Sequence, residues 1–422
     1  MSELVNFYEQ AARAQSSTIP WLADLQEKAL VDFSRMGFPH RNLEDWKYTS
    51  VDSFLKERFV SPSPQGSLAI KRPSDVPLGL SIELNNGVLQ SLESLTQSLP
   101  LGVIILPLAE ALVLHADKIK PYLSHILRQQ HGFHALNTAM LHFGLLIYLP
   151  KGVVLPTPLC LSHWQDQAHQ ATHLRHLVIL EEGSSLSLIE DYQGAPESIY
   201  FTNTITEAHL AAKSSLTHYK LIRESKGAYH VGQLAVKQGA GSQLHSHAFS
   251  IGGQWVRSDI SIALQGPEAE CTMNGIYAPN EGQHIDHHTV VTHEVPHCRS
   301  AQDYKGILSG KSRAVFNGQV IVARQANHSE AKQQNKNLLL SPNAEIDTKP
   351  QLDIYSDEVV CTHGATVGQL DEEALFYLAT RGIDRILASR YLVQAFATDN
   401  LKAFGNEALS EFLSTLLNQQ LG

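Results

Sequence analysis

Cysteine is scarce in this chain of 422 residues. Cys160, Cys271, Cys298 and Cys361 are widely spaced and form no CxxC pair, which excludes a disulfide framework and a four-thiolate zinc site. Long apolar runs are also missing. The stretches near Leu101–Leu108 and Phe143–Leu149 fall well short of the roughly 18–20 residues that span a bilayer. Positive charge is in deficit, with 32 Lys and Arg against 42 Asp and Glu, so there is no basic footprint for nucleic acid or anionic lipid. The start Met-Ser-Glu-Leu-Val-Asn has neither the basic residues nor the apolar core of a signal peptide. A soluble, cytoplasmic protein with no nucleic-acid and no membrane partner is expected. Apolar residues make up 43% of the chain, enough to bury a core. Histidine is the unusual abundance: 22 residues, more than the 14 Phe or the 13 Tyr, and imidazole is the commonest metal ligand.

Three regions follow from the pattern: 1–95, helical and then a linker; 96–368, a β core; and 369–422, helical again. Pro20 opens a helix in which Leu22, Leu25, Ala29 and Phe33 recur at helical spacing, and Gly37 with Pro39 stops it. Leu4, Phe7 and Ala11 predict a helix before it. From Val51 to Pro100 the Ser- and Pro-rich sequence, including Ser61-Pro62-Ser63-Pro64, predicts a linker followed by short strands. From Leu101 to Asp353, short β-branched runs broken by Gly, Ser, Asn and Pro predict sheet. Turn anchors at Ser184, Ser214, Ala240, Glu268, Lys311 and Ala344 are 30, 26, 28, 43 and 33 residues apart, and the long step has room for an extra strand pair carrying Thr289–Thr292. Such spacing suits a solenoid whose coils bury their apolar faces by stacking, and equally a β-sandwich with hairpins of similar length. After Gly368, Asp371 caps a helix, Gly382 breaks it, Asp384 starts a second, and Leu401 to Leu417 makes a third.

The run Gly306 to Ser312 looks like a phosphate loop but is one residue too short, and strand-like Ala314-Val315-Phe316 follows where a helix is needed. His245 and His247 share one face of any strand, with His284, His287, His288, His293 and His297 nearby in sequence, so an independent His-rich metalloenzyme is one reading. Cys361 and His363 likewise point one way, and the small residues Gly364 to Gly368 permit close backbone approach. A buried cysteine beside a hydrogen-bonded histidine satisfies the same pattern. A Cys-His protease is not indicated, because no third group orients a base.

The run LDIYSDEVVCTHGATVGQLDEEALFYLATRGI, from Leu352 to Ile383, closely resembles the C-terminal signature of the SufB/SufD family of iron–sulfur cluster assembly proteins. GFPHRNLEDWKYT (Gly37–Thr49), HALNTAM (His134–Met140), IYLPKGVVL (Ile147–Leu155) and the stretch Phe316–Leu352 resemble the same family, and the length fits its shorter branch. The resemblance implies a right-handed parallel β-helix flanked by N-terminal and C-terminal helical regions, and a scaffold rather than an enzyme. It implies SufB as partner through the β-helix core and the SufC ATPase as partner through the C-terminal helices, with Asp371, Leu375, Phe376 and Tyr377 at that contact. It also implies a transient iron–sulfur cluster or iron at the SufB interface, with His363 as ligand and Cys361 in a less defined role, and no nucleotide on this chain itself. Two solenoid edges of the same kind could also pair as a homodimer when the chain is alone. The alternatives are a purely structural partner of SufB and SufC, and the independent metalloenzyme.

Overall fold

The computed structural model describes residues 2–62, 74–90, 92 and 99–421; the Ser63-Pro64 part of the expected linker lies outside them. The sheet grows from alternation. Leu186 and Leu188 in the strand Ser185–Gly194, and Ala208 and Leu210 in Phe201–Leu210, sit at every second position and point into one apolar core. Successive strands go to opposite sheets, giving one sheet of ten strands and one of nine that face each other as a parallel β-solenoid of about 8 turns. Pairing is in step from coil to coil: Trp255 lies beside Tyr229 on one side and His284 on the other. Parallel neighbours along both sheets decide for the solenoid over the sandwich.

One corner of the coil recurs with a left-handed residue: Gly183, Lys213, Gly241, Glu268, His297 and His328 have φ between 58° and 69°. The long step expected from Glu268 to Lys311 therefore has a different cause. The true continuation of the series is His297, and Lys311 belongs to the opposite corner beside Gly310. The interval holds one strand more than a full coil, not an extra pair.

The first coil is closed by antiparallel pieces, Val88–Leu89 on Leu80–Asn85 and Ile104–Pro107 on Leu145–Leu149. Sheet does not run on from Leu101 as the sequence suggested. Residues Leu108–Leu114, Ala116–Ile119 and Gly132–Ala139 are helical, because LAEALVL and GFHALNTA put Leu108, Ala111, Leu112 and Leu136 where a helix buries them. The N-terminal helices Ser2–Ala14 and Pro20–Met36 form as expected, with Pro20 in the first turn and Gly37 ending the second at φ 61°. Phe54 meets Phe133 and Phe201 edge to face, Phe38 tilts against Phe133, and the cluster fixes this region to the outer face of the nine-stranded sheet.

The C-terminal helices are Glu372–Thr380, Arg385–Lys402 and Glu407–Leu421; three are expected, but Leu401 lies at the end of the second helix instead of opening the third, which starts after the turn at Gly405. Val393, Ala397, Leu401, Leu409, Leu413 and Leu417 pack with Ile189, Leu221, Phe249 and Ile307, which the alternation turns outward from the ten-stranded sheet. Among the described residues no helix is long and apolar enough to cross a membrane.

Candidate functional site at the open end of the solenoid

The strand Val360–Gln369 is the last of the ten-stranded sheet and, among the described residues, pairs only with Glu330–Leu339, Cys361 beside Ala331 and His363 beside Gln333. Glu345–Ile354 ends the other sheet. Both sheets thus finish on a free edge at the same end. Cys361 packs against Val320, Val322, Ala326 and Ala331, which places its side of the strand inward. His363, Ala365 and Val367 follow at period two and share that side. One coil earlier the equivalent positions Gln333, Asn335 and Asn337 are buried, whereas Val367 is 50% exposed and His363 is exposed. The inner surface of the solenoid opens to solvent there.

A polar ladder orders the coils beneath it. Asn335 donates to the Tyr277 hydroxyl at 2.9 Å, Asn337 donates to Asn335 at 2.7 Å, and Thr348 donates to Asn335 Oδ1 at 2.8 Å. Burial raises the Cys361 thiol pKa, only partly offset by the Ala331 backbone, so the thiol stays protonated near neutral pH. The other three cysteines are buried in the body of the protein, and burial pushes Cys160 up to about 12.

The remaining sequence candidates divide by position. His245 and His247 do share an outer face, but His247 is stacked on Tyr219 and Phe404, and burial lowers it to about 3. His284 and His288 face outward, to Thr49 and Asp286, while His287 and His293 face inward, to Ser250 and Ser300. His297 sits on a corner. These residues do not form one metal cluster. Asp371 caps its helix by accepting from the Glu373 N–H at 2.9 Å. Leu375 is buried, whereas Phe376 and Tyr377 are 72% and 59% exposed, and Ile386 and Tyr391 on the following helix are exposed as well. The Gly306–Ser312 stretch is the end of a strand and a turn, with a strand after it.

Sequence reasoning missed a buried polar half inside the solenoid. Glu190 accepts from Tyr192 at 2.6 Å and Thr206 at 2.5 Å and lies 3.0 Å from His218; Glu224 lies 2.8 Å from His230; His163 stacks on Tyr192. Despite its burial, the imidazole of His218 and the cations around it hold the Glu190 carboxyl well below the usual range. The only signal was position: Glu190 and Tyr192 continue the inward series of Leu186 and Leu188.

Residues 163–396 match the family described as SUF system FeS cluster assembly, SufBD core domain, and residues 1–161 match the SufBD protein N-terminal region. The chain belongs to the SufBD family. Its relatives include the iron–sulfur cluster assembly protein SufD of Escherichia coli, 30% identical over 94% of this chain and 92% of that protein. An iron–sulfur cluster assembly SufBD family protein of Synechocystis is 26% identical over 86% of this chain and 83% of its own length. The chloroplastic protein ABCI7 of Arabidopsis thaliana is 30% identical over 63% of this chain and 58% of its own length. The SufBD core match runs from the early coils through the open end and into the helix Arg385–Lys402, so it spans Cys361, His363 and the exposed Phe376 and Tyr377.

Proposed function

We propose that this chain is a non-catalytic scaffold subunit of a cytoplasmic Suf iron–sulfur assembly complex, in which its last coil pairs with SufB and its C-terminal helices receive the SufC ATPase. One observation carries the reading: Cys361 and His363 share the inward side of a terminal coil whose two sheets both end unpaired. A free parallel edge is a template for another strand. A second solenoid of the same kind would continue both sheets and cover the His363 side; without SufB, a second copy of this chain could occupy the edge as a two-fold pair.

A nascent cluster is cargo here and must leave again. Permanent clusters sit on four thiolates; one imidazole in a mixed set across an interface gives a weaker, releasable hold. His363 is exposed and accessible for that role, whereas Cys361 must first lose a proton that burial favours keeping. The exposed Phe376, Tyr377, Ile386 and Tyr391 give an ATPase an apolar surface to move. Transmission of that movement to the His363 edge would pass along the helices packed on Ile276 and Ile307.

The test is anaerobic reconstitution of the complex co-expressed with SufB and SufC, wild type against His363→Ala, reading iron and acid-labile sulfide per complex. The expected result is an assembled complex that loses most of its cluster. A variant complex that assembles and loads like wild type leaves the chain a purely structural partner.

A further inference from the structure

His131 and His134 lie on one side of the start of the helix Gly132–Ala139, and Asp259 reaches them from the strand Trp255–Leu264. The three are 4%, 1% and 5% exposed, and each offers a ligand atom within 4.8 Å of the others. Both ring nitrogens of His131 and Nε2 of His134 lack a hydrogen-bond partner. His131 Nε2 stands 3.6 Å from Asp259 Oδ2, beyond hydrogen-bond range. Buried imidazole nitrogens almost always find a partner; apart from the long contact of His131 Nε2 with the Asp259 carboxylate, the described residues offer these three nitrogens none.

The surroundings suit a cation. Burial pushes both imidazoles below their ordinary pKa, keeping their lone pairs free, and the rings lie 3.7 Å apart, centroid to centroid. Arg257 donates to Asp259 Oδ1 at 2.8 and 2.9 Å and more distantly to Oδ2 at 3.1 Å; it also donates to Asp286 at 2.8 Å. Two carboxylates against one guanidinium leave a net negative charge beside neutral rings, with His288 on the far side of Asp286 at 3.0 Å. Trp46 covers the cluster, its ring 5.1 Å from His131 and 4.5 Å from the Arg257 guanidinium. A cavity of about 90 Å³ lined by Asp45, Arg128, Gln130, Arg257, Asp259 and His288 reaches the carboxylate side of the cluster and has room for water; the two imidazoles lie behind it.

We propose that His131, His134 and Asp259 bind one first-row divalent cation, zinc or ferrous iron, with water completing the coordination. Two imidazoles and one carboxylate suit either metal. The cation clamps the helix Gly132–Ala139 and the Trp46 segment to the nine-stranded sheet. This site is remote in sequence and coil from His363 and does not rest on the function proposed above.

The full-length chain, stripped with chelator, is loaded anaerobically with Zn²⁺ in one arm and Fe²⁺ in the other, desalted, and assayed for metal per chain. The variants are His131→Gln/His134→Gln and, as a control for the other histidines, His245→Gln. The expected result is about one equivalent in wild type and His245→Gln, with affinity at least about tenfold weaker in the double variant, and a thermal midpoint raised by metal only where it binds. The arm that loads identifies the metal. No retained metal in either arm, or equal retention in the double variant, overturns the proposal. Should the double variant fail to fold, Co²⁺ added to wild type decides: visible d–d bands of imidazole-bound cobalt support the site, and their absence overturns it.

Discussion

Arg175 has no exposed surface, and its guanidinium meets Glu207 at 2.6 Å, Thr138 Oγ1 at 2.6 Å and Asn137 Oδ1 at 3.0 Å. Glu207 in turn accepts from the backbone N–H groups of Ser124 and Leu127, each at 2.9 Å. Two charges on neighbouring strands thereby hold the helical excursion that interrupts the early coils. Removing one leaves the other unpaired in a low dielectric, which costs far more than the pair itself contributes. Arg175→Ala is expected to lower unfolding stability by about 3–5 kcal/mol in urea titrations. The control is Arg13→Ala, which breaks an exposed pair with Glu27 at 3.2 Å and should cost under about 1 kcal/mol. Equal and small losses from both would mean that the buried network is not what holds the excursion.

At the scale of elements, the helix Glu372–Thr380 separates buried packing from exposed apolar surface within three consecutive residues. Leu375 is 4% exposed, while Phe376 and Tyr377 project into solvent. Leu375→Ala should cost about 2–5 kcal/mol, because it leaves a cavity. Phe376→Ala with Tyr377→Ala should change stability by less than about 0.5 kcal/mol while weakening pull-down of the ATPase; a destabilised double variant would instead make these rings part of the chain's own packing. The helix itself was legible in the sequence because caps are local: Asp371, Asp384, Pro20 and Gly37 act on backbone groups within a turn. Strand identity was equally local, but coil phase was not. Lys311 and His297 both sit in turns, and only cross-coil pairing tells which corner each occupies. The excursion after Leu108 escaped notice because its helices depend on the sheet face they cover. The period-two rule did place Cys361 and His363 on one side. That this side opens to solvent depends on where the stack ends, which no local pattern records. Glu190 and the pair His131 and His134 were hidden for the same reason, since a polar residue in an inward or buried position reads like one on the surface.

For the whole molecule, the histidine count becomes a statement about acid stability. Burial lowers His173 to about 3 and His176, His284, His287 and His293 to about 4. In the unfolded chain each returns to about 6.5. A group whose folded pKa is depressed contributes stability that is complete above its unfolded pKa and is lost as pH falls toward its folded pKa. For these residues the window runs from about pH 6.5 down to about 4, and its upper part lies above the range in which unfolded carboxylates take up protons. Glu190, Asp259 and Asp286 are also depressed and add a loss of the same sign at lower pH; Asp191, raised chiefly by burial, opposes it. At pH 5.5 each buried histidine costs on the order of 1 kcal/mol relative to pH 8. Urea titrations should therefore find stability several kcal/mol lower at pH 5.5 than at pH 7.5. His287→Gln, which removes one such group from the interior, should lower stability at pH 7.5 yet flatten the acid limb by up to about 1.4 kcal/mol per pH unit. A wild-type profile that is level from pH 7.5 to 5.5, or a variant with an unchanged slope, would mean that these imidazoles already take up protons in the folded protein, so that water reaches them there.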